Sequence, residues 1–514
     1  MRIGKTISFI KSRWPILVTA LVVINILLSA SWLLMGEIHY DIDISRDFLI
    51  LNEALKNRQP FLIGPHSGVI AGVFHGPLWY YLNLPAFIVG HGNPVFMGWF
   101  WWGLSIGTLA LIGWVSKKLF GVKTALLAML LYSANSIINP MDNLKQFFNP
   151  YGAVALSPLF YYFFVTYLKN KKAIYLTLAL ITIGLIIQFQ MAFGGPVLFV
   201  STVFLLFFFY KNKLFKHLLS FLILLIPLST FIAFDVRHNF LQTQSLIRYF
   251  LVDHPTSVFT ITFILGRVKS IFTDVYLMLT PGSILFASLS SFAFLVIITK
   301  CKLYRDVRYS FFLVLYFGYW IFLFLFKGWT GNYYWPFLPL VVILISSLIN
   351  YLPKKVFLPA FILLVVWNVY GGISTIRVFP KEVTRRGINS WAYNSLLAEY
   401  IYQDAGEDFG YYIFTPDRWV YNQKYALEYL QQKYPEKKSY ASSKKRLTYL
   451  IVVDPPKDRP DIDPVGWRIT DIGIKRESED VKRIDVTTIY KYYLTDEEIA
   501  IPHNPYLMDS TFFR

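Results

Sequence analysis

Pro15-Ile-Leu-Val-Thr-Ala-Leu-Val-Val-Ile-Asn-Ile-Leu-Leu-Ser-Ala-Ser-Trp-Leu-Leu-Met35 carries no charge, and Tyr40-Asp-Ile-Asp-Ile-Ser-Arg-Asp-Phe48 follows it almost directly. The first stretch has the length of about 20 residues that a helix needs to cross a bilayer. The second is rich in a residue type that is otherwise scarce here. Up to residue 376 there are ten carboxylates, and five of them lie between Glu37 and Glu53. A charge at bilayer depth costs roughly 2.5–3.5 kcal/mol even on insertion scales, so acids beside a membrane span need a reason. The acidic cluster is the first place to look for chemistry.

The rest of the composition agrees with a membrane chain. Of 514 residues, 55% are hydrophobic and 18% aromatic, and the mean hydropathy is +0.47. That exceeds what a water-soluble core requires. The net charge of +18 is unevenly spread: from residue 377 onward 21 bases balance 21 acids, whereas the first 376 residues hold 28 bases against 10 acids. Nineteen of those bases form short clusters between apolar runs, at Arg2–Arg13, Lys117–Lys123, Lys169–Lys172, Lys211–Lys216, Lys300–Arg308 and Lys354–Lys355. Short basic loops stay cytoplasmic, so the charge reports topology rather than nucleic-acid binding. The lone cysteine, Cys301, excludes an intrachain disulfide, a thiolate metal site and a redox pair.

Apolar runs predict eleven transmembrane helices near 15–35, 95–115, 122–138, 151–168, 173–190, 195–210, 217–235, 282–299, 309–326, 334–350 and 356–376. With the N-terminus cytoplasmic, every basic cluster falls inside, and nine of the ten acids fall outside, Asp306 being the exception. The chain thus reads as a multi-pass protein of the plasma (inner) membrane, its first span an uncleaved anchor rather than a signal peptide. Two outer loops, 36–94 and 236–281, are long. The first holds a helix-forming stretch, Phe48–Leu55, which Ser45 or Asp47 suits as a cap. It also holds the aromatic stretch Pro77–Pro85, and the second loop holds Phe259–Leu279; both are expected along the membrane surface. Residues 377–514 alternate in type. Helices are expected at Trp391–Ala405 and Tyr421–Tyr434, and strands at Tyr411–Phe414, Leu447–Val453, Trp467–Ile474 and Thr487–Tyr493. The expected architecture is a polytopic α-helical membrane domain, 1–376, followed by a small extracytoplasmic α/β domain, 377–514.

Asp43, Arg46 and Asp47 stand at i, i+3 and i+4, so a helix would gather two carboxylates and a guanidinium on one face. A carboxylate can deprotonate a hydroxyl or amine nucleophile, and a guanidinium fork matches a phosphate. Beside a membrane, the combination suits a reaction in which a lipid phosphate leaves a sugar. A capped interfacial helix with Arg46 paired to Asp47 explains the spacing equally well. Asp41-x-Asp43 is also a pair able to hold Mg²⁺ or Mn²⁺. Further polar residues fall on the same expected side: His75, Asn149, Gln188, Gln190, Asp235, Arg237, His238, Tyr333 and Tyr334. Singly, each suits a helix cap or turn.

Asp43-x-x-Arg46, Gly64-Pro65 and Gly76-Pro77-Leu78-Trp79-Tyr80-Tyr81-Leu82 together resemble the bacterial GT-C glycosyltransferases, in the branch of the protein O-mannosyltransferases and aminoarabinose transferases. Asn149-Pro150, Gln188-Phe-Gln190, Phe234-Asp-Val-Arg237-His238 and Tyr333-Tyr334 with Pro336 and Pro339 resemble later landmarks of that group, so the likeness spans about residues 1–350. It implies a GT-C-like fold, a polyprenyl-phosphate-sugar donor, Asp43 activating the acceptor and Arg46 holding the donor phosphate. Three positions depart from the pattern. Ile44 stands where relatives often have Glu, leaving Asp47 to compensate; His75 stands near a lysine of the aminoarabinose enzymes; and Met191 replaces a histidine found in some relatives.

The reading is an inverting, membrane-embedded glycosyltransferase of the cell envelope, acting at the outer membrane face on a lipid, glycan or protein acceptor. Asp43 and Asp47 are its catalytic candidates. Arg46, His75, Arg237 and His238 are the candidates for the donor phosphate. Asn149, Gln190, Asp235, Tyr333 and Tyr334 are candidates for substrate binding, and Asp41 with Asp43 for a cation. Two rivals stand beside it. A lipid-linked oligosaccharide ligase or polymerase would favour the basic residues of 236–254. A lipid or solute transporter would place its ionisable groups at mid-bilayer, commonly in repeated halves, and no repeat is visible here.

Overall fold

The computed structural model describes residues 2–138, 147–252, 260–324, 331–417, 419–456, 458–459, 461–504 and 507. Asp142, Asp253 and Phe259, which figure in the sequence reading, lie outside them. The chain divides into two compact units. A helical unit comprises 1–31, 60–83 and 100–375; an α/β unit comprises 32–59, 84–99 and 376–514.

Each of the eleven ranges expected to span the membrane holds a helix. Among the described residues four helices are long and apolar enough to cross a bilayer: Pro94–Phe120, Pro150–Asn170, Met191–Asn212 and Lys354–Ser374. A fifth results if Phe215–Leu225 and Ser229–Arg237, bent by 61°, form one broken span. Pro227 and the Ile226–Leu228 break explain the bend, since proline cannot donate to the preceding turn. Within the helical unit the closest packing joins Pro150–Asn170 to Ala173–Phe189, and Arg2–Ser29 to Val122–Ile138. The stretches expected to lie along the membrane surface are helical too, at Leu78–Val89 and Ile261–Leu277.

The α/β unit is built on a five-stranded sheet. Its strands are β1 (Phe409–Phe414), β2 (Ser439–Ala441), β3 (Leu447–Val453), β4 (Asp480–Ile484) and β5 (Thr487–Tyr493). Their order is β2-β1-β3-β5-β4. β1 runs parallel to β2 and β3, whereas β5 runs antiparallel to β3 and β4. All seven residues of β3 are buried, which suits its unbroken apolar sequence at the sheet centre. Tyr412, Leu450, Val452, Trp467, Ile472 and Tyr492 form a core on one face of the sheet. β4 and the short β2 were not expected: β4 alternates charge with Val481 and Ile484 and is mostly exposed, so no apolar pattern marked it.

One expected strand is corrected. Trp467–Ile474 is helical, a π-turn from Trp467 to Ile472 closed by Gly473 at φ +79°. Asp463 caps the preceding turn by accepting from Val465 N–H, and Pro464 occupies its first position. An acidic cap followed by proline is a helix-start signal, and it outweighs the apparent alternation of Trp467 and Ile469. The expected helix from Tyr421 ends at Leu430 rather than Tyr434.

Within the α/β unit the first-loop helix, Ile42–Asn57, packs on the helix Tyr421–Leu430. Phe48 meets Tyr425 at 5.2 Å and Tyr40 meets Trp391 edge-on at 5.3 Å. Just before it, Glu37 sits at the N-terminus of the helix Trp391–Asp404. Its carboxylate accepts from Ser390 Oγ at 2.5 Å and from the Trp391 and Ala392 N–H groups at 2.8 and 3.3 Å. Helix N-termini favour such carboxylates. Burial nonetheless dominates and raises the Glu37 pKa above its ordinary value, with these hydrogen bonds opposing.

Candidate active site

The first-loop helix begins at Ile42, earlier than the sequence implied, because Asp41 rather than Ser45 or Asp47 is its cap. Asp41 is extended (φ −94°, ψ −179°), and its Oδ1 accepts from the Asp43 and Ile44 N–H groups at 3.1 and 3.0 Å. Ser45 Oγ is turned to the chain's C-terminal part, donating to Asn422 Oδ1 at 2.6 Å. With the helix started there, Asp43, Arg46 and Asp47 share one turn. Arg46 Nη1 donates to Asp43 Oδ1 at 2.5 Å, while Nε and Nη2 donate to Asp47 Oδ1 at 3.0 and 2.8 Å. Arg46 and Asp47 are buried, whereas the Asp43 side chain is 34% exposed. The guanidinium therefore compensates the buried Asp47 and holds the more accessible Asp43 carboxylate through a charge-assisted hydrogen bond.

Tyr421 joins this turn electrostatically. Burial pushes its phenol pKa up, the Arg46 cation pulls it back, and the Asp43 carboxylate adds to the rise. Its neighbour Asn422 donates to the Tyr40 carbonyl at 3.1 Å and to the Ile388 carbonyl at 2.5 Å. Nothing in the sequence pointed to Tyr421 or Asn422. His39 Nε2 lies 3.6 Å from Asp41 Oδ2. Asp41 is thus engaged as a cap and beside an imidazole, and Asp43 is engaged with a guanidinium. Among the described residues no three His, Cys, Asp or Glu side chains gather as metal ligands.

The helical unit brings a second set together. Two glycines of the first-loop motif matter for close approach. A Cβ on Gly64 would meet the Gly76 carbonyl oxygen at 2.1 Å, and one on Gly76 would meet Gln188 Oε1 at 1.9 Å and Gln188 Cα at 2.9 Å. The motif loop thereby lies against the end of Ala173–Phe189, with Gly76 N–H donating to the Gln188 carbonyl at 2.8 Å. His75 Nδ1 accepts from Met191 N–H at 3.3 Å. Asn149 Nδ2 donates to the Phe189 carbonyl at 2.7 Å, and Gln190 Nε2 to the Asn332 carbonyl at 2.8 Å. The Tyr333 carbonyl accepts from Tyr319 Oη at 2.7 Å, and Tyr334 stacks on Trp320.

The remaining candidates lie apart from that set in role. Asp235 caps Leu241–Leu251, accepting from Gln242 N–H and Thr243 Oγ1 at 2.8 and 2.6 Å. Arg237 and His238 are exposed, and His238 stacks on Phe234 and bonds its carbonyl. A cation that the reading overlooked is Arg267, buried at 6% exposure on Ile261–Leu277, within electrostatic reach of Tyr319, Tyr249 and Asp274. Its interruption of an aliphatic run was the visible sign.

A bundle of apolar helices joined to a small mixed sheet is the fold by which this chain can be compared with solved structures. ArnT from Cupriavidus metallidurans in the apo state aligns over 94% of this chain and 98% of its own, with 12% identity and a TM-score of 0.57. The same protein bound to undecaprenyl phosphate aligns over 93% and 98%, with 11% identity and a TM-score of 0.53. The Archaeoglobus fulgidus oligosaccharyltransferase in complex with Zn and sulfate aligns over 84% and 68%, with 10% identity and a TM-score of 0.44. No protein-family model matches the sequence, and no curated protein matches it. The likeness inferred from first-loop motifs is thus matched by the fold.

Proposed function

We propose that this chain is an integral-membrane glycosyltransferase that moves a sugar from a polyprenyl-phosphate carrier to an acceptor at the outer face of the membrane. The observation that carries the reading is the Asp43–Arg46–Asp47 turn, with its buried guanidinium and accessible carboxylate. The fold shared with a protein that binds undecaprenyl phosphate supports the donor class. In this reading Asp43 takes the acceptor proton as the nucleophile attacks the anomeric carbon. The bond to the phosphate breaks with inversion, because the base stands opposite the leaving group. Arg46 stabilises the departing phosphate, and Asp47 fixes the guanidinium.

Within the helical unit taken by itself, the basic groups proposed for a phosphate are the buried Arg267 and His75, with the exposed Arg237 and His238 behind them. Asn149, Gln190, Tyr333, Tyr334 and Asp235 are proposed to shape substrate binding. Eleven spans, a cytoplasmic N-terminus and an extracytoplasmic residue 377–514 domain complete the proposal. No step is routed through a metal.

The test is transfer of labelled sugar from polyprenyl-phosphate donors in membranes carrying the wild type, Asp43→Asn or Arg46→Lys. Loss of transfer in Asp43→Asn at normal protein level is expected. Full activity in that variant would remove Asp43 as the base. Absence of donor turnover by the wild type, across several sugars, would favour a ligase or a transporter.

A further inference from the structure

We propose that the α/β unit carries a saccharide-binding cleft at the carboxyl end of β1. A cavity of about 610 Å³ opens there, directly after Phe414, and its lining includes Thr415, Arg459, Asp461, Asp463, Trp467 and Asp471. Its volume falls within the range of about 300–1,000 Å³ usual for small-molecule sites. Its position is the one at which sheets with parallel strands commonly take ligands, outside the strands' carboxyl ends.

One residue points to an occupant. Thr415 is only 8% exposed, and its Oγ1 has no hydrogen-bond partner among the described residues. A buried hydroxyl left unpaired is unfavourable, so a donor or acceptor from a bound molecule is the natural complement. Around it stand groups of the kinds that read polyols. Arg459 and Asp461 meet through two parallel bonds of 2.8 Å, from Nε and Nη2, which holds both side chains in the lining. Asp471 is fixed by Asn504, whose Nδ2 donates to its Oδ1 at 2.8 Å. Trp467, buried in the core and tilted at 5.2 Å against Phe414, forms an apolar wall of the cleft.

Charge narrows the class. Among the described residues of the lining three carboxylates face one guanidinium, which disfavours a phosphate or an acidic sugar. Among the described residues there is no three-ligand metal group. A neutral or amine-bearing saccharide is left: its hydroxyls donate to carboxylates and accept from Arg459 and Thr415. If the transfer reading above holds, this cleft is where a glycan acceptor, or the glycan part of one, is held; that clause rests on that reading, and the binding itself does not.

The experiment uses full-length protein in detergent. Binding of methyl hexosides, methyl 2-amino-2-deoxyhexosides and gluco- and manno-oligosaccharides is followed by tryptophan fluorescence and saturation-transfer NMR. Thr415→Val and Asp461→Asn are compared with the wild type. At least one saccharide should bind, at least 5-fold more weakly in both variants. Asp461 is exposed, so its variant tests the cleft even if Thr415→Val fails to fold. Binding by no saccharide, binding indifferent to both cleft substitutions, or binding only of a Lys/Arg-rich peptide would each overturn the proposal. Saccharide binding that persists without any transfer activity would instead sink the transfer reading and leave the cleft standing.

Discussion

In the α/β unit, the polar side chains of the first-loop turn are charged and answer one another: Arg46 reaches both Asp43 and Asp47. In the helical unit, Asn149, Gln188 and Gln190 are neutral and answer backbone carbonyls at Phe189, Pro227 and Asn332. The two designs serve different ends. Amides that bind carbonyls close the open ends of helices, so their worth lies in holding segments together. A buried ion triad adds little net stability over an apolar alternative; its retention points to a task that needs charge. The same comparison separates the two halves of the first loop: Gly64 and Gly76, in the helical unit, let backbones meet, while Asp43, Arg46 and Asp47, in the α/β unit, carry charge.

The contrast breaks most readily at Asp43. Asparagine there should lower transfer by about 10²- to 10⁴-fold, the usual worth of a general base, with little change in melting temperature; a melt that collapses along with activity would make Asp43 structural. Arg46→Ala comes next and should damage both properties. It strands the buried Asp47, at a cost of about 3–5 kcal/mol, so thermal unfolding should fall sharply, whereas Arg46→Lys should recover stability more than activity. Gln190→Ala and Asn422→Ala should show the opposite balance, losing about 1–3 kcal/mol each through unpaired buried groups, and retaining measurable transfer in membranes where the protein still folds. A denaturation midpoint unmoved by Gln190→Ala would remove the stapling role.

The smallest effect concerns Glu37. Burial raises its folded pKa above the ordinary carboxylate value of 4.5. Its contribution to stability is therefore full below that ordinary value and is lost as pH climbs through the raised one. Glu37→Gln removes the titration, so melting temperature measured from pH about 4 to about 7 should lose part of its downward slope. An identical slope in the two proteins would show that Glu37 does not titrate in that window.

Much of this was legible in the sequence because membrane helices are long, apolar and punctuated by basic loops. Every expected span range holds a helix, and Leu447–Val453 and Thr487–Tyr493 are strands with the expected ends. The i, i+3, i+4 spacing of Asp43, Arg46 and Asp47 was enough to put them on one turn. The partners from afar were not legible. Ser45 meets Asn422 across 377 residues, and no local pattern encodes such a pairing. Arg267 was visible as a charge in an apolar run, but its burial depends on neighbours far along the chain. Trp467–Ile474 misled because alternation over a few residues is a weak signal, while the Asp463-Pro464 start beside it is a strong one.

The bond from Ser45 to Asn422, with those from Asn422 to Tyr40 and Ile388, has a consequence in time. The turn bearing Asp43 is made early in synthesis, yet the residues that brace it are among the last to be translated. Until the chain has been extended past Asn422 and the helix Tyr421–Leu430 has folded, the first-loop turn lacks that brace.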